Sequence, residues 1–146
     1  MSVNELTMEA KTENLSKALA FIDERLEELG CSMKAQMQID VAMEELFVNV
    51  AQYAYKGLEK LRSSQKLSEM VTIRIEDKEE PKRIVFTLTD EGTPFNPLLQ
   101  KDPDTSLPAE KRRIGGLGIF LAKKNMDGME YEYKDGKNIL TIQKFM

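Results

Sequence analysis

The chain has 146 residues, of which 41% are hydrophobic and 32% are charged, a balance typical of a globular protein that can bury a core. The formal net charge of −4 and the pI of about 5.1 argue against a nucleic-acid-binding surface, which is usually basic. Histidine is absent, which excludes histidine-based acid–base catalysis, Ser-His-Asp triads and most zinc sites.

The sequence shows no signal for a membrane or for secretion. No apolar run approaches the roughly 18 residues that a membrane-spanning helix needs, and the N-terminus lacks the basic and apolar regions of a signal peptide. Cys31 is the single cysteine, so no internal disulfide can form. We therefore expect one cytoplasmic domain that spans residues 1–146.

Two helices are predicted in the first third of the chain. Apolar and polar residues alternate sufficiently in residues 6–10 to predict a short strand. Apolar residues at helical spacing from Leu15 to Leu29 predict a helix that ends at Gly30. Ser32 is placed to cap a second helix, which continues to about Tyr55.

The second helix carries a polar strip beside its apolar face. The residues expected to face the core are Ile39, Met43, Leu46, Val50 and Ala54. The strip beside them consists of Gln38, Glu45, Asn49 and Gln52. Glu45 and Asn49 are four residues apart and therefore stack on one face. A carboxylate and an amide among apolar residues need partners, because unpaired burial is costly. A buried polar network, solvent, or a ligand with a metal and phosphates would each supply them.

The remaining elements are mostly strands. Apolar and polar side chains alternate in residues 71–76, and residues 84–89 are rich in strand-forming residues. We expect both segments to be strands, joined by a turn at residues 77–82. Residues 98–114 have no apolar period, and a connection of this length predicts either a functional lid or a disordered segment. A third helix is expected from residues 115–118 to about Asp127, with Leu117, Phe120, Leu121 and Met126 facing inward. Residues 129–134 and 138–145 predict a closing hairpin around Asp135-Gly136.

The order β-α-α-β-β-α-β-β predicts an α+β fold. We expect a two-layer sandwich in which a mostly antiparallel mixed sheet carries three helices on one face.

Three groups of residues follow one another along these elements. They are Glu45 with Asn49 on a helix, Asp90 with Gly92 at a strand end, and Gly116-Leu117-Gly118 before a helix. Free backbone N–H groups and the dipole at such a helix start suit phosphate oxygens. In this order the three groups resemble the N box and the two glycine boxes of the histidine-kinase-like (GHKL) ATPase superfamily.

Pro94, Phe95, the following Pro97 and the short lid resemble one branch of that superfamily, the anti-sigma-factor serine/threonine kinases of bacteria. Two positions depart from the branch. Tyr53 stands where its members commonly carry His, and Asn96 stands where they usually have Asp.

The resemblance implies ATP and Mg²⁺ as cofactors. It implies that Asp90 accepts the exocyclic amine of adenine, with Thr141 as the second adenine contact, and that Asn49 coordinates Mg²⁺. The backbone amides around Gly116, Leu117 and Gly118 would cradle the phosphates. Glu45 would act as the general base. The lid residues Lys111, Arg112 and Arg113 would contact the γ-phosphate or form a solvated charge run.

The resemblance also implies protein partners. Such kinases bind a sigma factor and hold it inactive, and they phosphorylate a small antagonist protein on serine or threonine. Neither nucleic acid nor a membrane is expected as a partner, and a homodimer is compatible with the resemblance. The alternative function is a module that binds ATP and sequesters a partner without phosphorylating it. A third possible function is that of a slow ATPase that forms a fragment of a larger protein.

Overall fold

The computed structural model describes residues 3–55, 69–99 and 117–146, and for Leu117 it describes the backbone alone. The strands are β1 (Val3–Glu9), β2 (Met70–Lys78), β3 (Arg83–Asp90), β4 (Gly128–Lys134) and β5 (Lys137–Phe145). The helices are α1 (Leu15–Glu28), α2 (Met33–Asn49) and α3 (Leu117–Asn125), with short 3-10 turns at Thr12–Asn14 and Pro97–Leu99. The predicted order of elements is confirmed. Within the described ranges, none of the helices combines the length and the apolar content that crossing a membrane requires.

The sheet has the strand order β1-β2-β3-β5-β4 within the described part of the chain, and all four of these neighbouring pairs are antiparallel. The β4–β5 hairpin closes as predicted, because Asp135 and Gly136 both have positive φ values, 53° and 77°. A type I′ turn requires that conformation at both central positions. This order places β3 in the centre of the sheet, between β2 and β5.

The three helices share one core with a single face of the sheet. Successive side chains of a strand point to opposite faces, and the residues of β2, β3 and β5 that join this core alternate accordingly, whereas Val85 is buried outside it. The larger ones are Ile73, Ile75, Ile84, Phe86, Leu88, Leu140 and Ile142. The same cluster contains buried residues of α1, α2 and α3. The predicted two-layer α+β fold is confirmed.

Helix α2 contacts both other helices and lies at the centre of their layer. Ser32 caps it as predicted, since its Oγ accepts a hydrogen bond from the Ala35 N–H at 3.1 Å. Ile39, Met43 and Leu46 are buried as expected, whereas Val50 is half-buried. After Asn49 the helix widens into a π-helical turn, Val50–Ala54, a feature that often occurs at functional sites.

Helix α3 has a different rotation from the one predicted. Its buried residues are Ile119 and Ala122, with Met126 just after its end, while Phe120 and Leu121 are half-buried. The prediction therefore held for Met126 and was wrong for Phe120 and Leu121, while the side chain of Leu117 lies outside the described part of the chain. Apolar residues surround this short helix on most sides, so its sequence does not specify one inward face. The approach of Gly118 to α2 decides the rotation.

Candidate functional site

A cavity of about 490 Å³ lies between the C-terminal end of α2 and the inner face of the sheet. This volume lies within the range of small-molecule and cofactor sites. Most of its wall is apolar, and it contains a few polar groups. Its lining residues are Leu46, Asn49, Val50, Tyr53, Ala54, Leu88, Asp90, Thr93, Phe95, Pro97, Tyr131, Asn138 and Leu140.

Two buried polar side chains, Asp90 and Asn138, form the polar end of the cavity. Each is only 6% exposed. Asp90 ends β3, and the register places it directly opposite Asn138 on β5. The Asn138 amide donates a hydrogen bond to Asp90 Oδ1 at 3.0 Å, and the Gly92 N–H donates a second one at 2.8 Å. Burial raises the pKa of Asp90, and these two hydrogen bonds oppose the rise.

Asn138 also holds the loop after Asp90. Its amide donates to the Thr93 carbonyl at 3.0 Å, and its carbonyl oxygen accepts the Phe95 N–H at 3.1 Å. The Tyr131 hydroxyl donates to the same carbonyl oxygen. Asn138 therefore fixes the Asp90 carboxylate and the backbone of the loop at the same time.

The structure does not place Thr141 at this site, so the prediction of Thr141 as a cavity contact was wrong. Thr141 is paired with Thr87 and Glu130, one position out of phase with Asn138 and Leu140. Its side chain consequently lies on the face of the sheet that turns away from the helices. Asn138 is the polar residue of β5 that lines the cavity. The alternation of Asn138, Leu140 and Ile142 in the sequence is the signal that could have identified it.

Gly92 allows the loop to lie directly on the end of α2. A Cβ atom at Gly92 would lie 2.6 Å from the carbonyl carbon of Ala54, a separation that real Cβ atoms do not show. The next residue, Thr93, donates its N–H to the Ala54 carbonyl at 2.8 Å. The Tyr55 hydroxyl accepts the Glu91 N–H at 2.9 Å. The close approach of backbone to backbone explains why glycine stands at this position.

Glu45 and Asn49 occupy successive turns of α2, as the spacing predicts. Asn49 is the last residue of the helix before the π-helical turn and lines the cavity. Glu45 Oε1 is buried and has no hydrogen-bond partner within residues 3–55, 69–99 and 117–146. Burial raises the pKa of Glu45, and the negative charge of Glu44 raises it further. A buried carboxylate oxygen without a donor is costly unless a ligand completes the site.

The start of α3 packs directly on Glu45. A Cβ atom at Gly118 would lie 2.5 to 2.6 Å from Cβ, Cγ and Cδ of Glu45, so only glycine permits this contact. The backbone of Leu117 opens α3 next to it. The structure thus brings a helix N-terminus, where unpaired N–H groups favour anions, against the unpartnered carboxylate.

The predicted site residues therefore fall into two neighbouring parts. Asn49 and Asp90 line the cavity, and Gly92 is hydrogen-bonded to Asp90. Glu45 and Gly118 contact each other between α2 and α3. Gly116, the basic residues Lys111, Arg112 and Arg113, and all but the first two residues of the predicted lid lie outside the described residues. The donor set fits a nucleotide with a divalent cation, because it combines an apolar cavity, a buried carboxylate, an amide and a helix start.

Comparison with known proteins agrees with this geometry. A family model described as "Histidine kinase-like ATPase domain" matches residues 8–144. The chain is 28% identical over 139 residues to "Serine-protein kinase RsbW" of Listeria monocytogenes serovar 1/2a, covering 92% of this chain and 82% of that protein. It is 26% identical over 139 residues, with the same coverage, to "Serine-protein kinase RsbW" of Listeria innocua. The predicted resemblance is confirmed, and the chain belongs to the family of histidine kinase-like ATPase domains.

Proposed function

We propose that this protein is an ATP-dependent serine/threonine kinase of the anti-sigma-factor type. In this proposal it binds Mg-ATP in the cavity, binds a sigma factor as a regulatory partner, and phosphorylates a small antagonist protein. The observation that carries the proposal is the buried Glu45 oxygen without a partner, one helical turn before Asn49 and in contact with the start of α3. The names of the Listeria relatives support the same activity.

Asp90 is the proposed contact for the adenine amine. Both hydrogen bonds that Asp90 receives from described residues end on Oδ1, which leaves Oδ2 to accept a donor from a ligand. Asn138 takes the place of Thr141 as the second polar group near the base. Guanine carries a carbonyl oxygen where adenine carries the amine. With GTP, this oxygen and the Asp90 carboxylate would both be hydrogen-bond acceptors and could not pair. The site should therefore prefer ATP to GTP.

Asn49 is the proposed ligand for Mg²⁺, since amide oxygens suit this cation. When bound, Mg²⁺ would neutralise phosphate charge. Glu45 is the proposed general base, which takes the proton of the acceptor hydroxyl. Its raised pKa makes it a stronger base than an ordinary glutamate. The backbone amides at the start of α3, including those of Leu117 and Gly118, are proposed to hold the phosphates.

The test compares three substitutions on α2. Glu45→Ala should retain Mg-ATP binding but lose phosphoryl transfer by about 10²–10⁴-fold, because a general base acts mainly in the transition state. Asn49→Ala should lose metal-dependent nucleotide binding. Glu44→Ala is the matched control: Glu44 is exposed and lies about 100° around the helix from Glu45, so both activities should persist.

Calorimetry with ATP and Mg²⁺ measures binding, and mass spectrometry of the antagonist protein after incubation measures transfer. A module that only sequesters a partner would need Asn49 and Asp90 but would show no transfer in the wild type. Loss of transfer in Glu44→Ala with full activity in Glu45→Ala would contradict the assignment of the base.

A further inference from the structure

The hydroxyl of Tyr55 lies at the point where β3 leaves the sheet. Tyr55 directly follows the π-helical turn at the end of α2, and it is only 5% exposed. Its hydroxyl donates a hydrogen bond to the Met70 carbonyl at 2.5 Å and accepts one from the Glu91 N–H at 2.9 Å. The side chain therefore connects the helix layer with the first residue of β2 and with the residue that follows Asp90.

These two bonds stand where the pairing of β2 with β3 ends. The last residues paired on this side are Val71 and Asp90. The same register would next bring Met70 opposite Glu91. The Tyr55 hydroxyl binds one backbone group of each of these two residues. It therefore completes the end of the ladder at the place where the chain turns from β3 toward the π-helical turn.

Three consecutive backbone N–H groups after Asp90 have fixed acceptors. The Glu91 N–H donates to the Tyr55 hydroxyl, and the Gly92 N–H donates to Asp90 Oδ1 at 2.8 Å. The Thr93 N–H donates to a carbonyl of the π-helical turn, also at 2.8 Å. The peptide that holds the carboxylate is thus fixed on both sides by the end of α2. Loss of the hydroxyl would release the peptide bond that precedes Gly92.

Tyr55 does not itself line the cavity, so it acts on a ligand only through its neighbours. The neighbour that it can affect is the Asp90 carboxylate, whose Oδ2 is the proposed acceptor for the adenine amine. A hydrogen bond weakens steeply when its angle departs from the preferred range. A less firmly held carboxylate would therefore discriminate less well between an amine and an oxygen on the base.

We propose that Tyr55 is a positioning residue for base recognition: its hydroxyl holds the backbone after Asp90 so that the carboxylate is aimed at the base. Asn138 holds the same carboxylate from the sheet, and Tyr55 holds it from the helix layer. The inference rests on the proposed function in one respect, the contact between Asp90 and adenine, and it requires no phosphoryl transfer.

Tyr55→Phe tests the hydroxyl, because it keeps the buried ring. In calorimetry, adenosine probes the base end of the site alone, and Mg²⁺ with tripolyphosphate probes the metal and phosphate end alone. Tyr55→Phe should weaken adenosine binding about tenfold and leave the binding of Mg-tripolyphosphate unchanged. The ratio of the affinities for ATP and GTP should fall about tenfold as well. Tyr133→Phe is the matched control, since it removes the hydroxyl of a 46% exposed tyrosine on β4 and should change none of these values.

A double-mutant cycle with Asp90→Asn separates positioning from a general loosening of the fold. In the Asp90→Asn background, Tyr55→Phe should cause no further loss of ATP affinity, because the carboxylate that it positions is gone. Losses that add in the double variant would show that Tyr55 acts independently of Asp90 and would overturn the proposal. Equal adenosine affinity of the wild type and Tyr55→Phe would overturn it too, as would an equal loss for adenosine and Mg-tripolyphosphate.

Amide hydrogen exchange tests the same contact without a variant or a ligand. Glu91 is exposed and follows the last residue of β3, yet its N–H should exchange much more slowly than an unprotected amide, because the hydroxyl binds it. Exchange at the unprotected rate would overturn the proposal even if Tyr55→Phe did not fold. A wild type that binds neither adenosine nor ATP overturns the kinase proposal and this inference together. A wild type that binds ATP without transferring phosphate contradicts the kinase proposal alone.

Discussion

Replacement of Asn138 by alanine tests the polar end of the cavity. The Asn138 side chain donates hydrogen bonds to Asp90 and to the Thr93 carbonyl, and it accepts hydrogen bonds from the Phe95 N–H and the Tyr131 hydroxyl. Its amide also lies 3.4 Å from the Gly92 carbonyl oxygen. Each such bond contributes about 0.5–1.5 kcal/mol net. Water from the cavity would replace part of the loss, so we expect Asn138→Ala to reduce the free energy of unfolding by about 2–4 kcal/mol.

The same substitution should weaken ATP binding. Asp90 would keep the hydrogen bond from the Gly92 N–H but lose the one that Asn138 supplies, and its carboxylate would be less firmly oriented. We expect about a tenfold loss of affinity, equivalent to roughly 1.4 kcal/mol. Tyr131→Phe removes one donor and leaves the bond between Asp90 and Asn138 in place. It should therefore cost about 1 kcal/mol or less in stability and change affinity little.

Thr141→Ala is the matched control, because it alters the same strand on the opposite face of the sheet. It should change the free energy of unfolding by less than about 1 kcal/mol. Urea denaturation followed by circular dichroism measures stability, since the chain has no tryptophan, and calorimetry measures affinity. If Thr141→Ala costs as much stability and affinity as Asn138→Ala, the assignment of faces on β5 is wrong.

Three further predictions concern other parts of the site and the helix layer. Asp90→Asn should weaken ATP binding by more than tenfold, because a charge-assisted hydrogen bond of roughly 1.5–3 kcal/mol is lost, and equal wild-type affinity for ATP and GTP in calorimetry would contradict the adenine assignment. Gly118→Ala should destabilise the protein by about 1–3 kcal/mol, because the added Cβ clashes with Glu45. Gly128→Ala is the control: its added Cβ meets only ordinary contacts at 3.6 Å or more, so its stability in urea denaturation should be nearly that of the wild type. The pKa of Asp40 is raised from 3.8 to about 7, so between these pH values the folded state binds more protons than the unfolded state, and the free energy of unfolding falls as the pH rises. Asp40→Asn should remove this fall and be more stable than the wild type at pH 8. Parallel stability profiles of the two proteins against pH would refute this prediction.

The order of the helices and strands, and their boundaries to within a few residues, follow from local patterns in the sequence. Alternation in residues 71–76 and 84–89 predicts strands because a sheet with one covered face needs one apolar side per strand. Ser32 and the Asp135-Gly136 pair predict a helix start and a type I′ turn because their local chemistry decides the backbone there. The spacing of Glu45 and Asn49 places both on one face of α2 for the same local reason.

Which polar residues contact one another depends on the packing of separate elements. Asn138 reaches Asp90, and Thr141 does not, because the register of β3 with β5 assigns the strand faces. The rotation of α3 depends on the close approach of Gly118 to Glu45, a contact between residues far apart in the sequence. The carboxyl pair of Asp23 and Asp40 likewise exists only because α1 packs on α2. Local periodicity carries information about one element at a time, whereas these contacts depend on how separate elements pack together.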